Sequence, residues 1–112
     1  MLNEYGEKLD RAGYAPSIIP DHETCYFCKK YGSLPEGVYK LDRHEIFHGN
    51  AYRHKSMALG IWLNLCHGHH MKLHQQWNEY DRELKEYGQR IAMDYYGWDI
   101  KEFRKRFGKN HL

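Results

Sequence analysis

A small α+β domain is what the sequence predicts, on three observations. Two stretches rich in strand formers, 38–47 and 61–65, are separated by a loop, and helical periodicity takes over from Gly68 onward. Two pairs of metal-ligating side chains, Cys25 with Cys28 and Cys66 with His69, flank the first strand and follow the second at the same two-residue spacing. With 112 residues the chain reads as one domain, 1–112, with a metal-bound core over 25–75 and a C-terminal helical extension over 76–112. A core this small gains from a metal crosslink what packing alone supplies poorly.

The elements follow in order. Residues 1–14 read as a short amphipathic helix ended by Gly13, so that helices lie on both sides of the core. Pro16 and Pro20 bracket an extended piece, because the residue before proline avoids the helical region. Cys25–Cys28 followed by Lys29-Lys30-Tyr31-Gly32 has the pattern of a metal knuckle, and 33–37 is a loop. The first strand ends near His44 and Glu45; a turn at Gly49-Asn50 and a helical turn over 56–60 lead to the second strand, which runs into Cys66. A long helix covers roughly residues 79–96, with Leu84, Tyr87, Ile91 and Tyr95 at helical spacing. Asp99 is placed to cap a last helix, Ile100–Phe107, closed by Gly108. Trp62, Trp77 and Trp98 read as packing residues.

Composition narrows the function classes. Aromatic content of 15% in a hydrophilic chain points to a folded domain with an aromatic core and not to a disordered tail. No stretch reaches the roughly 20 apolar residues of a membrane span, and the first eight residues lack the layout of a secretory signal. The expectation is a cytoplasmic protein with no membrane partner. Net charge is only +2, but Lys101, Arg104, Lys105, Arg106 and Lys109 crowd the end of the chain, and Lys40, Arg43, Arg53, Lys55 and Lys72 surround the histidine-rich centre. Such clusters suit phosphate contact, or else are solvated helix faces.

Three cysteines cannot all pair within the chain, and no alternating strand and helix pattern frames a redox Cys-x-x-Cys, so metal binding is the reading that stands. Structural zinc takes four thiolate or imidazole ligands in a tetrahedron. Cys25, Cys28, Cys66 and His69 supply them, the last two about one helical turn apart, in the layout of a treble-clef zinc module. His70 is the alternative fourth ligand, one position further along near the same face. Other histidines remain. His70 and His74 are spaced i, i+4 on one face, and His44 comes from the strand before. Three imidazoles converging there would hold a second ion with positions open for water and a phosphate oxygen, as a hydrolytic site requires. The bland alternative is a row of solvent-facing polar residues, against which stands the concentration of nine histidines, most of them within 44–74.

The stretch Cys25–His74 resembles the HNH, or ββα-metal, endonuclease family in its zinc-ribbed form. It is similar in particular to small prophage-encoded members with an Arg-His-Glu segment, here Arg43-His44-Glu45, and a Phe-Gly-Lys-Asn ending, here Phe107–Asn110. The resemblance implies a metal-dependent DNA endonuclease in a bacterial host cell, with DNA and a phage or host protein as partners. It implies that His44 is the strand ligand and that His70 and His74 are the helix ligands of the catalytic metal. Glu45 falls where that family places its histidine base. The base is then Glu45, His48, or His44 in a shifted register, unless hydrolysis has been lost and the chain is a non-catalytic zinc module that binds nucleic acid or a host protein. Position 61, where the family has a bracing asparagine, is Ile61; Asn50 and Asn64 are the substitutes. Arg43 and Arg53 would meet phosphate, although Arg53 could equally close a hairpin salt bridge. Lys101, Arg104, Lys105 and Arg106 would contact the DNA backbone. Besides structural Zn²⁺, the second ion would be Zn²⁺, Ni²⁺, Mn²⁺ or Mg²⁺, with imidazole ligands least suited to the last.

Overall fold

The computed structural model describes residues 1–32, 40–75 and 78–112. The expected loop 33–37, the start of the first strand at Val38 and Tyr39, and Trp77 lie outside the described residues. The order of elements is α1 (Tyr26–Tyr31), β1 (Leu41–Glu45), α2 (Arg53–Ala58), β2 (Trp62–Cys66), α3 (His67–Gln75), α4 (Asn78–Tyr96) and α5 (Ile100–Phe107). Strands β1 and β2 form an antiparallel hairpin in which Leu41 faces Cys66, His44 faces Leu63 and Glu45 faces Trp62. The α+β expectation therefore holds. Among the described residues, no helix is long and apolar enough to cross a membrane.

Local chemistry explains the elements that match. Gly32 ends α1 in the left-handed region at φ 71°, and its N–H closes on the Cys28 carbonyl. The Asp99 side chain accepts from the Glu102 N–H at the start of α5, and Gly108 closes that helix at φ 78°. Helix α2 starts earlier than expected, at Arg53, after a turn in which the Gly49 carbonyl accepts from the N–H groups of Tyr52 and Arg53. Buried Ser56 then both donates to the Phe47 carbonyl and accepts from the Phe47 N–H, fixing the exit of β1 against α2.

One expectation is corrected. Residues 1–14 form no helix; Leu2 and Lys8 make an isolated bridge between turns. The reason is polar capture. Asn3 Oδ1 accepts from the N–H groups of Tyr5 and Glu7, and Asp10 Oδ1 from those of Ala12 and Tyr14, offering the backbone partners that a helix would otherwise supply. Helix α4 matches the periodicity in extent, and Leu84, Tyr87 and Ile91 of its apolar spacing lie in or against the core. Its buried face is Leu84, Gly88, Gln89 and Ala92, while Tyr95 is 60% exposed. A Cβ on Gly88 would lie 2.8 Å from Ile46, so the bare glycine is what lets β1's exit approach the helix. Gln89 is buried but satisfied, donating to Asn110 Oδ1 at 2.8 Å and accepting from the His111 N–H at 2.7 Å. The Phe-Gly-Lys-Asn ending is thus pinned back onto α4.

The core joins Phe27 of α1, Ile46 and Phe47 beyond β1, Ile61, Leu63 and Leu65 of the second arm, Leu84 of α4, and Phe103 and Phe107 of α5. Phe47 lies 5.2 Å from Phe103 and 4.7 Å from Phe107, ring centre to ring centre, so the last helix seals the hairpin. Trp62 and Trp98 are buried packing residues, as expected, with the Trp62 indole donating to the Ala15 carbonyl.

Glu83 ties α1 to α4, accepting from Tyr26 Oη, Tyr31 Oη and Lys30 Nζ at 2.8, 2.6 and 2.6 Å. Burial opposes ionisation of Glu83, but these three donors outweigh it and hold the carboxyl below its ordinary value of 4.5. A depressed carboxyl stabilises the fold above its unfolded pKa and loses that contribution as pH falls through the folded one. Glu83→Gln is expected to cost about 1 kcal/mol at pH 7, discounted because Lys30 is largely solvated. The gap from wild type should narrow as pH drops below 4.5. Denaturant unfolding at about pH 7 and about pH 3.5 measures it, and a gap that does not vary with pH would refute the ionic origin.

Candidate metal centres

The ends of the hairpin and α3 bring four buried or half-buried ligand atoms together. Cys25 precedes α1, Cys28 sits within it, Cys66 ends β2, and His69 is one turn into α3. His69 Nδ1 lies 3.3 Å from the sulfurs of Cys25 and Cys28 and 3.2 Å from that of Cys66, while Cys28 and Cys66 Sγ are 3.8 Å apart. A tetrahedron with bonds of about 2.3 Å to sulfur and about 2.0 Å to nitrogen has edges of about 3.8 and 3.5 Å. The spacing fits, and the group can hold a metal ion such as zinc. None of the three thiols is in a disulfide. Burial first, then hydrogen bonds and charge from Cys25 and Cys66, push the Cys28 thiol up to about 12, so only a cation makes a cluster of thiolates favourable here. His70, the alternative fourth ligand, turns away from this group toward Asp42.

A second cluster lies across α3. His44 is 1% exposed, and its Nε2 is a buried side-chain nitrogen with no hydrogen-bond partner among the described residues. Its ring centre is 5.3 Å from that of His70 and 5.6 Å from that of His74, and the Nε2 atoms of His70 and His74 are 3.1 Å apart. One ligand atom from each of these three residues lies within 4.8 Å of the others. Burial first, then the neighbouring His48, His70 and His74, push His44 down to about 3, so it stays neutral and keeps a lone pair. With Arg43, Glu45, His48 and Arg53 these histidines line a cleft of about 430 Å³.

Three contributors had no part in the sequence reading. Asp42 Oδ2 accepts from Nδ1 of both His67 and His70, at 2.7 and 3.1 Å, which directs His70 Nε2 toward His44 and His74. Period-two spacing carries that signal, because Asp42 and His44 share a strand face. Asp81, one turn into α4, bonds His48 Nε2 at 3.1 Å and Lys85 Nζ at 2.8 Å. Burial works against its charge, but these two bonds keep its carboxyl at about 2. No local pattern links Asp81 to the hairpin. Tyr14 lies against Glu45 and Arg53, and burial followed by the Glu45 charge raises its hydroxyl pKa.

The remaining site residues divide by engagement. Arg53 Nε donates to Glu45 at 2.5 Å, the hairpin salt bridge among its two readings, with the rest of its guanidinium half exposed. Arg43 lies against both Tyr14 and Trp62, its Cζ 4.1 and 4.4 Å from the two ring centres, and pairs with Asp10. Arg106 bonds Glu102 and Glu4 and covers Trp98, whereas Lys101, Arg104 and Lys105 are exposed on α5. Ile61 is fully buried, and Asn64 lies opposite Arg43 in the hairpin, away from His44's pairing with Leu63. Compared with known proteins, the chain matches no family model, no curated protein and no solved structure.

Proposed function

We propose that the chain is a metal-dependent DNA endonuclease of the HNH type, built on a treble-clef, ββα-metal core and acting in the cytoplasm of a bacterial cell that carries it on a phage. The observation that carries this reading is the buried Nε2 of His44, without a hydrogen-bond partner among the described residues, on a ring that packs against His70 and His74 at an open cleft. A buried imidazole without a partner costs stability unless something binds it.

When bound, a divalent cation would supply charge neutralisation to a phosphate oxygen and to the leaving 3′ oxygen. His44, His70 and His74 hold it, and Asp42 fixes the ring of His70. His48 is the proton acceptor, oriented by Asp81 as a base must be. Glu45 is committed to Arg53 and so serves to position that guanidinium, whose exposed edge meets the scissile phosphate. Lys101, Arg104 and Lys105 form the outlying backbone contact. Replacing all three with glutamine should flatten the salt dependence of DNA affinity by about 0.9 per lost phosphate contact.

A second reading, a zinc module that binds nucleic acid or a host protein without cutting, is favoured by the Glu45–Arg53 pair and by Ile61. Supercoiled plasmid incubated with Zn²⁺, Ni²⁺, Mn²⁺ or Mg²⁺ separates the two. Nicking by the wild type that vanishes in His70→Ala/His74→Ala supports the enzyme; no nicking with any ion, at one zinc per chain, supports the module. Asp42→Asn is expected to weaken Co²⁺ binding at the cleft by about 10- to 100-fold, read by the visible absorption of the ion. Unchanged affinity would show that Asp42 does not orient the ligand.

A further inference from the structure

His44 lies within reach of two ligand sets, not one. On the α3 side stand His70 and His74; on the side of the loop after β1 and of α4 stand His48 and Asp81. His44, His48 and Asp81 also present one ligand atom each within 4.8 Å of one another. The His44 and His48 ring centres are 5.3 Å apart, the same separation as between His44 and His70. The His48 to Asp81 separation of 3.1 Å suits a hydrogen bond. It equally suits two adjacent ligands on one ion with bonds of about 2.1–2.2 Å.

We propose that the cleft contains two mutually exclusive cation seats that share His44, an all-imidazole seat with His70 and His74 and a carboxylate seat with His48 and Asp81. Exclusion follows from valence, since a neutral imidazole carries a proton on one ring nitrogen and has a single lone pair to donate from the other. Ligand chemistry then sorts the ions. Three imidazoles favour Zn²⁺, Co²⁺ or Ni²⁺, whereas two imidazoles and a carboxylate with open positions favour Mn²⁺ or Fe²⁺. Occupation of the carboxylate seat uses His48 and Asp81 and leaves the all-imidazole seat one ligand short. The identity of the bound ion therefore sets whether the arrangement proposed for hydrolysis can assemble. The inference rests on the cleft being a cation site, as proposed above, and not on hydrolysis.

Binding measures it without reference to cleavage. Full-length protein with its structural zinc retained is titrated with Mn²⁺, followed by the spin-resonance signal of the free ion, and with Co²⁺, followed by visible absorption. Asp81→Asn and His48→Ala should each lower Mn²⁺ affinity on the order of 100-fold and leave Co²⁺ affinity within about twofold. His70→Ala/His74→Ala should do the reverse, His44→Ala should weaken both, and Co²⁺ should displace Mn²⁺ one for one from the wild type. One zinc per chain and an unchanged circular dichroism spectrum certify that each variant is folded. Mn²⁺ binding that survives Asp81→Asn, that disappears in His70→Ala/His74→Ala, or that is absent from the wild type at millimolar ion overturns the two-seat assignment. A wild type that binds both ions in this pattern but never nicks DNA sinks the endonuclease reading alone.

Discussion

Cys28→Ser is expected to leave the chain unfolded at room temperature. Its sulfur is one of the four ligand atoms of the cluster, 3.8 Å from Cys66 Sγ and 3.3 Å from His69 Nδ1, and is fully buried. With its pKa at about 12 from burial and from its neighbours Cys25 and Cys66, the unliganded thiol stays protonated and contributes a weak hydrogen bond at most. Structural zinc in small domains contributes an apparent ~10–16 kcal/mol, against a typical total stability of about 5–15 kcal/mol. Losing one thiolate ligand removes enough of the first quantity to exhaust the second. The variant should carry well under one zinc per chain and show no cooperative melt by circular dichroism, and chelation of the wild type should reproduce that state. A variant that keeps its zinc and melts within a few degrees of wild type would show that the cluster is not what holds the core together.

The other large effect is steric. Gly60 has φ +72°, and a Cβ there would lie 2.2 Å from the Pro16 carbonyl oxygen and 3.3 Å from the Ile18 nitrogen. Backbone cannot step aside cheaply, because that segment is held on both sides of the clash, by Ala15 N–H to Met57 O and by Ile18 N–H to Gly60 O, each 2.9 Å. Gly60→Ala combines left-handed strain of about 1–2 kcal/mol with one or two lost hydrogen bonds at about 1 kcal/mol each. A loss of about 2–4 kcal/mol, or about 10–20 °C in Tm, is expected. Gly97→Ala is the control, with the same φ of +72° and open space around the new Cβ, so it should lose only the strain. Equal melting temperatures for the two variants would remove the close approach of Pro16 from the account.

Elements governed by short-range chemistry are the ones whose sequence and structure agree. The span of α4 and both ends of α5 follow from periodicity, an aspartate cap and a terminal glycine, all of which act within a turn or two of themselves. The N-terminal segment departs from its amphipathic spacing because the hydrogen bonds of Asn3 and Asp10 compete with the helix. On α4 the close packing of Gly88 and Ala92 is not legible, because they pack by being small, which a reading based on side-chain hydrophobicity discounts. Among the arginines, residue type named the cations but not their partners. Arg43 is spent on two aromatic rings and Arg106 on two carboxylates, and most of those neighbours come from distant parts of the chain.

The amino-acid sequence alone determined that four ligands at matched spacing could share one ion, because Cys-x-x-Cys and Cys-x-x-His each bring a pair of donors within reach through local backbone geometry. It also determined that His70 and His74 share a helix face, for the same short-range reason. Only the tertiary structure decided which of His69 and His70 turns to the thiols, since that choice depends on Asp42 across the hairpin. The fold likewise decided that His44 Nε2 is buried without a hydrogen-bond partner among the described residues, and that Asp81 stands behind His48. Both depend on how α4 packs over the exit of β1, and a contact between distant segments leaves no mark in the spacing of either.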